Sequence, residues 1–404
     1  MGVELGNIFE SAINNSLFSN KSVLQVRYTP DSIPHRDEEI KNIASILASA
    51  LRGERPSNLF VYGKTGTGKT LSVQYVCNEL KKKSEELEVD VRFEYLNCKL
   101  RKVADTEYRI LAALIRQMGG DIPTTGLPTD QVWSRFIELI DKKKQLIVFI
   151  FDEIDQAVKK MGDNFLYTIT RINQELNNAQ ISIIGISNNV VFLDEIDPRV
   201  RSSLGEEEFI FDIYNANQLR DILKERCDAA FKKQVVSEGV ISKCAAYAAR
   251  EHGDARRALD LVRIAGELSE RDSKKKIKED YIDLANDKME KDKILDIVKG
   301  ESKQYHVVLY AIMNLMKKHR EEDLGKIYTG DVYNGYLDIC TETKTTNLTQ
   351  RRISDLIAGI DLQGLINAKV ISNGRHGRTK EIKLSIPANL LDKVEVILKD
   401  SLYI

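Results

Sequence analysis

A glycine-rich segment beginning at residue 63 limits what this chain can fold into more than any other feature. Its residues are Gly63, Lys64, Thr65, Gly66, Thr67, Gly68, Lys69 and Thr70. The apolar run 59–62 precedes it and a helix-like stretch, 71–79, follows it. This order is typical of a phosphate-binding loop, because glycine lets backbone N–H groups surround phosphate oxygens and the helix N-terminus attracts the same anion. We expect Lys69 to contact the β- and γ-phosphates and the Thr70 hydroxyl to bind Mg²⁺.

Short apolar runs alternate with amphipathic stretches as far as residue 211. The pattern predicts strands at 59–62, 91–96, 146–151, 181–186 and 208–211. Helices are expected between them, for example at 38–51 and 130–141. Apolar strands separated by helices indicate a parallel sheet covered on both faces, as in an α/β nucleotide-binding core.

Beyond residue 215 the strand pattern gives way to helices. Apolar residues recur there at a spacing of three or four, as at Leu219, Ile222 and Leu223. A third unit begins near residue 301 and ends in a hairpin-like stretch. The length of 404 residues allows two or three domains. We divide the chain into a flexible lead (1–22), a nucleotide-binding core (23–212), a helical lid (213–295) and a C-terminal domain (296–404).

Composition and charge are those of a globular protein. The chain is 42% hydrophobic and 30% charged with a net charge of −1, so any nucleic-acid affinity must come from local patches. The longest apolar run, 146–151, is too short to span a bilayer, and no secretory signal is visible. Five scattered cysteines indicate buried free thiols in a reducing compartment. We expect a cytoplasmic, nucleoid-associated protein with no membrane partner.

Two acidic residues follow the apolar run 146–151 directly. Asp152 and Glu153 would lie at the carboxyl end of a parallel strand, where open α/β sheets bind ligands. We expect Asp152 to hold Mg²⁺, and Glu153 to orient and polarise an attacking water. Their position some eighty residues after the glycine loop strengthens the assignment of a nucleotide site.

Three polar positions downstream are further candidates. Asn188 follows the run 181–186, either to position water beside Glu153 or as a turn residue. Arg201, or Arg199 beside it, is expected to reach the nucleotide of a neighbouring protomer as an arginine finger, with a surface ion pair as the alternative. Arg256 opens a helix of the lid and is expected to fold onto the γ-phosphate, so that the lid angle depends on the nucleotide.

The order of these motifs resembles that of the AAA+ ATPases. Five segments are also similar to archaeal replication initiators, relatives of the origin recognition complex and the cell-division-control helicase loader: 28–37, 185–189, 197–200, 214–219 and 253–256. The resemblance implies an AAA+ P-loop core with a parallel sheet, an all-helical lid and a C-terminal winged-helix domain. It also implies a weak ATPase in which ATP or ADP, bound with Mg²⁺, acts as a conformational switch.

The resemblance adds nucleotide contacts that the glycine loop does not supply. The stretch 33–36, which includes His35 and Arg36, would lie near the adenine. Tyr214 and Arg226, at the entrance to the lid, match positions that touch the nucleotide in the family.

The C-terminal domain carries the expected contacts to duplex DNA. The predicted helix 349–360 has an apolar face, and Gln350, Arg351 and Arg352 occupy its first turn, the end that recognition helices place in a major groove. A hairpin follows with a basic, glycine-rich tip. Its candidate DNA contacts are Arg375, His376, Gly377, Arg378 and Lys380. Between residues 344 and 383, eight Lys or Arg against three acidic residues give a balance of +5. The alternative is a solvated hairpin without a ligand.

A helical insertion between early strands of the sheet touches DNA in the related initiators. Its counterpart here resembles residues 97–126, with a loop that holds Pro123, Thr124 and Thr125. Many relatives have a basic residue before that proline, whereas this chain has Asp121 and Ile122. A purely structural helix hairpin is therefore the alternative.

These features lead to one main hypothesis and two alternatives. The main hypothesis is an ATP-regulated initiator that binds origin duplex DNA, pairs with paralogous protomers and supports loading of the replicative helicase. The first alternative is a sequence-specific transcription regulator that uses nucleotide as a cofactor. The second is a subunit similar to those of clamp loaders, which the basic tip disfavours.

Overall fold

The computed structural model describes residues 16–25, 28–30, 32–99, 106–123, 126–204, 206–322, 326–372 and 378–404. The chain divides into two units, Met1–Ile282 and Asp283–Ile404. The first unit contains both the expected core and most of the expected lid. The second contains the expected C-terminal domain.

A five-stranded parallel sheet forms the centre of the first unit. Its strands are β1 (Leu59–Gly63), β2 (Val91–Asn97), β3 (Leu146–Asp152), β4 (Gln180–Ser187) and β5 (Glu207–Phe211). They lie in the order β2-β3-β4-β1-β5. Each predicted strand falls within an observed one, and the predicted parallel α/β core is confirmed.

Both faces of this sheet are buried because its strands carry apolar side chains on each side. Along β3, Ile147, Phe149 and Phe151 belong to one hydrophobic cluster, whereas Val148 and Ile150 belong to another. Successive side chains of a strand point to opposite faces, so one continuous apolar run fills both layers. Since the strands are parallel, their carboxyl ends meet at one edge of the sheet, where such folds bind ligands.

Helices cover the two faces of the sheet. They are α1 (Asp37–Leu47), α2 (Lys69–Glu86), α3 (Glu107–Gln117), α4 (Thr129–Ile140), α5 (Ile154–Met161), α6 (Asn164–Arg171), α7 (Phe192–Glu195) and α8 (Pro198–Leu204). The helix predicted at 38–51 is observed as α1 and a following 3-10 turn, Ala48–Arg52. The helix predicted after the glycine loop is longer than expected, since the pairs Lys82–Glu79 and Lys83–Glu86 support its solvated end.

The lid follows as α9 (Ala216–Ala230), α10 (Glu238–Arg250) and α11 (Ala255–Arg271). Two of its helices, α9 and α11, begin at residues whose side chains cap them. Asn215 and Gln218 form a reciprocal capping box at α9, and Asp254 accepts hydrogen bonds from the backbone N–H groups of Arg256 and Arg257 at α11. The predicted all-helical lid is confirmed.

The N-terminal segment 16–25 packs against the lid. The Phe18 and Phe231 rings stack with 4.6 Å between their centroids, and the Leu17 N–H donates to the Glu270 carboxylate at 2.6 Å. Leu17 and Phe18 are only 5% and 8% exposed. The structure therefore differs from the flexible lead expected over 1–22 at the end of that lead, because its apolar side chains are buried on the lid. Residues 1–15 lie outside the described part of the chain.

The second unit combines helices with a small antiparallel sheet. From residue 280 onward the helices are α12 (Asp280–Gly300), α13 (Lys303–Glu322), α14 (Thr329–Glu342), α15 (Gln350–Leu362) and α16 (Leu391–Leu402). The strands β6 (Ile327–Tyr328), β7 (Ile366–Ser372) and β8 (Arg378–Leu384) pair in the order β6-β8-β7. Ile353, Ile357 and Ile360 of α15 are fully buried in the core of this unit. The predicted winged-helix domain is confirmed.

The cysteines are buried and unpaired, as predicted: Cys77, Cys98, Cys227, Cys244 and Cys340. Burial raises the pKa of the Cys77 thiol to about 12, so this side chain behaves as a small apolar residue. Among the described residues, no helix is both long enough and apolar enough to cross a membrane.

Candidate nucleotide site and nucleic-acid interface

A cavity of about 480 Å³ brings together the glycine loop, the carboxyl ends of the strands and the lid. This volume lies within the usual range for small-molecule sites. Among the residues predicted from the sequence, the lining includes Gly66, Thr67, Gly68, Lys69, Thr70, Asp152, Glu153, Asn188, Tyr214, Arg226 and Arg256. The sequence motifs, although far apart along the chain, therefore converge on one site.

The glycine loop between β1 and α2 is in direct contact with the lid. Gly66 and Gly68 have φ angles of 73° and 90°, which side chains rarely tolerate. A Cβ atom at Gly66 would lie 1.9 Å from the Asp254 carboxylate, so only glycine fits there. The Ala255 N–H also donates to the Gly66 carbonyl at 3.3 Å. The loop thus contacts the first turn of α11. A conformational change in the loop can therefore be transmitted directly to the lid.

Lys69 is the most strongly perturbed cation of the site. Its side chain is 5% exposed, and its ammonium group donates to the carbonyls of Gly63 and Lys64, both at 2.7 Å. Burial lowers the pKa of Lys69 to about 8; the nearby Arg256 charge adds to this, and Asp152 opposes it. An anion in the cavity would favour the charged form of Lys69, as a nucleotide phosphate does.

The Asp152 carboxylate is held by three donors. The Thr70 and Tyr95 hydroxyls donate to its Oδ2 atom at 3.0 and 2.6 Å, and the Glu153 N–H donates to Oδ1 at 2.9 Å. Hydroxyl and carboxylate oxygens are the ligands that Mg²⁺ prefers. Thr70 and Asp152 are adjacent, as the sequence predicted, so the donor set fits a magnesium ion.

Glu153 and Asn188 both face the cavity from the ends of their strands. Glu153 has a φ of 52°, directly before α5, and its side chain lies 3.3 Å from the Lys99 ammonium group. Asn188 directly follows β4 and lines the same cavity. Both residues therefore line the same cavity, and their catalytic roles stay a prediction.

Arg226 carries an unpaired donor into the cavity. The side chain is 8% exposed, and its Nη1 atom is buried without a hydrogen-bond partner in the part of the chain that the structure describes. Its guanidinium stacks on the Tyr28 ring at 4.6 Å, and burial lowers its pKa. Because an unsatisfied buried donor is costly, this atom is best explained by a ligand that accepts a hydrogen bond.

His35 and Arg36 occupy positions that differ from the expected adenine contacts. Neither belongs to the cavity lining, whereas Ile33 and Pro34 do. The His35 ring contacts Asp221 at 3.1 Å. Arg36 is buried behind the glycine loop, where it donates to the Thr67 carbonyl at 2.9 Å.

Arg36 instead links the loop to the entrance of the lid. Its guanidinium lies 4.1 Å from the centroid of the Tyr214 ring and 5.2 Å from that of Phe211. It also donates to the Tyr214 hydroxyl at 3.1 Å. Tyr214 is 3% exposed and would lie 2.9 Å from a Cβ atom at Gly68. Arg36 and Tyr214 therefore pack against the glycine loop and hold its backbone in place.

The two candidate finger arginines are exposed and form ion pairs within their own chain. Arg201 contacts Asp194 at 2.6 Å, and Arg199 contacts Asp197 at 2.9 Å. These pairs match the surface-pair alternative, and a finger role would require a second protomer. Arg256 is exposed and lines the cavity, close enough for its charge to lower the pKa of Lys69.

In the second unit, the first turn of α15 is exposed to solvent. Thr349 caps the helix by accepting from the Arg352 N–H at 3.4 Å, and Gln350, Arg351 and Arg352 are all exposed. The preceding loop is fixed by Tyr336, whose hydroxyl accepts from the Leu348 N–H at 2.9 Å. The helix therefore presents two arginines at a well-supported N-terminal end.

The described part of the hairpin comprises β7, which ends at residue 372, and β8, which begins at residue 378. Arg375, His376 and Gly377 lie outside the described residues, and Arg378 begins β8 without a described side chain. Lys380 is half-buried in β8. At the base of the hairpin, Glu381 is 6% exposed and pairs with Lys326 at 2.8 Å.

The insertion between β2 and β3 forms a packed helix hairpin of α3 and α4. The Arg116 guanidinium donates to the Pro123 carbonyl at 3.3 Å, and the Tyr108 hydroxyl donates to the same oxygen at 2.9 Å. Pro123 is exposed at the turn, and Thr124 and Thr125 lie outside the described residues. The packing of these two helices agrees with the alternative of a purely structural helix hairpin. The exposed Pro123 is accessible to a partner.

Three family models match consecutive parts of the chain. An AAA domain matches residues 52–193, a Cdc6 AAA+ ATPase-type lid domain matches 220–287, and a CDC6 C-terminal winged-helix domain matches 296–394. An ORC1-type DNA replication protein of Thermococcus onnurineus is 49% identical over 387 residues, which cover 95% of this chain and 92% of the relative.

The chain belongs to the ORC1-type DNA replication proteins. The ORC1-type protein 1 of Methanosarcina mazei is 47% identical, over 96% of this chain and 93% of the relative. The structure of the Aeropyrum pernix ORC1 protein in complex with DNA is similar with a TM-score of 0.84 and 39% identity, over 95% of this chain and 97% of that one. Membership of this AAA+ family makes the protein a nucleotide-binding ATPase.

Sequence reasoning missed one residue of this ORC1-type site and gave another a different role. Tyr95 belongs to no motif, and Arg36 is expected near the adenine but contacts the loop and Tyr214. The alternation along β2 places Tyr95 on the same face as Asn97, which could have indicated a residue near Asp152. The support role of Arg36 depends on side chains more than 170 positions away and leaves no local signal.

Proposed function

We propose that this protein is an ATP-regulated initiator of DNA replication that binds duplex DNA at an origin and supports loading of the replicative helicase. The observation that carries the proposal is the similarity to an ORC1 protein solved with DNA, which extends over the ATPase core, lid and winged helix. The converging nucleotide site supports the ATP-regulated part.

In this proposal ATP or ADP occupies the cavity with Mg²⁺. Lys69 and the loop backbone bind the phosphates, Thr70 and Asp152 hold the ion, and Glu153 with Asn188 orients the attacking water. Arg226 donates to the nucleotide from the lid, and Arg256 reaches toward the γ-phosphate. Hydrolysis is slow because Arg201 or Arg199 acts only on the nucleotide of a neighbouring, paralogous protomer. The contact between Gly66 and Asp254 supports a switch in which the nucleotide sets the lid angle.

We expect nucleotide affinity to fall as the pH rises above about 8. The pKa of Lys69 is lowered to about 8, and phosphate stabilises its charged form, so above this pH binding takes up a proton. The Kd for ADP should therefore be about tenfold weaker near pH 9 than near pH 7.5. Isothermal titration calorimetry in buffers of different ionisation enthalpy measures both quantities. Equal affinity at the two pH values, without proton uptake, would contradict the role of Lys69.

DNA binding is assigned to the winged helix and, more weakly, to the insertion turn at Pro123, Thr124 and Thr125. In the winged helix, Gln350, Arg351 and Arg352 enter a major groove. Arg375, His376, Gly377, Arg378 and Lys380 contact phosphates or the minor groove. The exposure of the first turn of α15 supports this assignment.

Replacing both Arg351 and Arg352 with alanine should weaken duplex binding and reduce its dependence on salt. Removing two phosphate or base contacts lowers the slope of log K against log salt by about 1–2 units. Fluorescence anisotropy with an origin duplex at several salt concentrations measures the slope. Lys393→Ala, an exposed change on α16, is the control and should keep the wild-type slope. A double variant with an unchanged slope would place the DNA contacts elsewhere.

The transcription-regulator alternative is disfavoured because the relatives are replication proteins. Footprinting on the host chromosome separates the two functions, since an initiator protects an origin and a regulator protects promoters. The helicase, the paralogous protomers and the association with the nucleoid are part of the proposal and follow from its function in initiation.

A further inference from the structure

Tyr95 makes the shortest of the hydrogen bonds to the Asp152 carboxylate. Its hydroxyl lies 2.6 Å from Oδ2, compared with 3.0 Å for the Thr70 hydroxyl on the same atom. Asp152 is 5% exposed, so these hydrogen bonds are largely shielded from bulk water. A hydrogen bond to an ionised acceptor in such surroundings is stronger than one between neutral groups.

The sheet itself brings Tyr95 to this position. β2 and β3 are parallel neighbours, and Asn97 lies opposite Asp152 in their register. Tyr95 is two residues before Asn97, so both side chains point to the same face of the sheet. The Gln117 amide donates to the Tyr95 carbonyl at 3.1 Å and attaches this part of β2 to α3. The hydroxyl is thus delivered by a strand and not by a loop.

The two carboxylate oxygens of Asp152 accept hydrogen bonds from different groups. Oδ1 accepts from the Glu153 N–H, which fixes the carboxylate to its own backbone. Oδ2 accepts from Thr70 and Tyr95. A hydroxyl that coordinates Mg²⁺ turns an oxygen lone pair to the ion, and its O–H can still donate to a carboxylate. Thr70 would therefore contact both the ion and Asp152, whereas Tyr95 donates to the carboxylate from β2.

We propose that Tyr95 is a positioning residue that holds the Asp152 carboxylate in place for the divalent cation that accompanies the nucleotide. This inference rests on the proposed nucleotide and Mg²⁺ site and adds to it a residue outside every recognised motif. Groups that orient a metal ligand typically change metal affinity about 10–100-fold when they are removed.

The Tyr95 hydroxyl is directed at the Asp152 carboxylate as a hydrogen-bond donor. Tyr95 also lines the cavity, so it could instead serve only as a wall for the nucleotide. The two roles can be distinguished by measurement. A residue that only contacts the nucleotide affects nucleotide binding even when no metal is present.

The test is Tyr95→Phe, which removes the hydroxyl and keeps the ring. Mn²⁺ binding to the ADP-loaded full-length protein is followed by the electron paramagnetic resonance signal of free Mn²⁺, and ADP binding is measured separately in EDTA. We expect Mn²⁺ affinity to fall about tenfold. In EDTA, the ADP affinity should stay within about twofold of wild type, because the carboxylate acts on the metal alone.

Tyr62→Phe is the matched control. Tyr62 lies on β1 outside the cavity lining, and its hydroxyl is 3.4 Å from the Glu208 carboxylate. This variant removes the same atom beside another carboxylate and should leave both affinities at wild-type values.

Equal Mn²⁺ affinity in Tyr95→Phe and wild type would overturn the inference, as would an equal loss of ADP affinity in EDTA. If wild-type protein with ADP bound no Mn²⁺ at all, the metal part of the proposed function would fail together with the inference.

Discussion

Replacing Lys69 with alanine should abolish retention of nucleotide by the purified protein. The ammonium group is buried between the Gly63 and Lys64 carbonyls and beside the cavity, so it is already held where phosphate oxygens would bind. Two charge-assisted hydrogen bonds to phosphate, at about 1.5–3 kcal/mol each, correspond to a loss of at least about 100-fold in affinity. Chromatography of the nucleotide released by denaturation measures the ADP content.

Lys81→Ala is the control for this change. Lys81 is exposed on α2, the helix that also begins at Lys69, and its loss removes the same charge from the same element. Its ADP content should match wild type. Thermal unfolding of both variants without added nucleotide checks that the substitution has not destabilised the fold. ADP retained by Lys69→Ala at the wild-type level would remove Lys69 from the phosphate site.

The elements that the sequence predicts well are those in which local pattern and tertiary environment agree. The run 146–151 is apolar throughout because β3 is buried on both faces, so its strand could be predicted almost to the residue. The glycine loop was predictable for a similar reason, since its backbone conformation requires glycine at Gly66 and Gly68.

The features that were missed depend on contacts between distant residues. β6 has only two residues, too few to show alternation, and it exists because it pairs with β8. The flexible lead predicted over 1–22 includes Leu17 and Phe18. Their burial could not be predicted because it depends on the lid surface near Phe231. The family resemblance places Arg36 near the adenine, whereas its hydrogen-bond partner Tyr214 lies 178 positions away in the chain.

Converting Glu153 to glutamine should preserve ATP binding and abolish most of the turnover. Glutamine keeps the size of the side chain but cannot accept a proton from the attacking water. Loss of such a group typically costs about 10²–10⁴-fold in rate. Single-turnover hydrolysis of radiolabelled ATP measures the rate, and equilibrium binding in the same buffer should give a Kd within about threefold of wild type.

The matched control is Glu85→Gln, an exposed change on α2 that should hydrolyse ATP at the wild-type rate. Hydrolysis by Glu153→Gln at the wild-type rate would exclude Glu153 from the reaction. Its ion pair with Lys99, at 3.3 Å, would then be the main function of the side chain.

The same variant also tests whether nucleotide controls DNA binding. Glu153→Gln loaded with ATP keeps the γ-phosphate in place, whereas wild-type protein loaded with ADP lacks it. The Gly66–Asp254 contact links the phosphate loop to the lid, so the two forms should differ in lid position and in their affinity for an origin duplex. A ligand shifts a conformational equilibrium only by its differential affinity for the two states. Identical duplex affinity in the two forms would therefore mean that the γ-phosphate does not act on the DNA-binding surface, and that ATP serves a later step than origin binding.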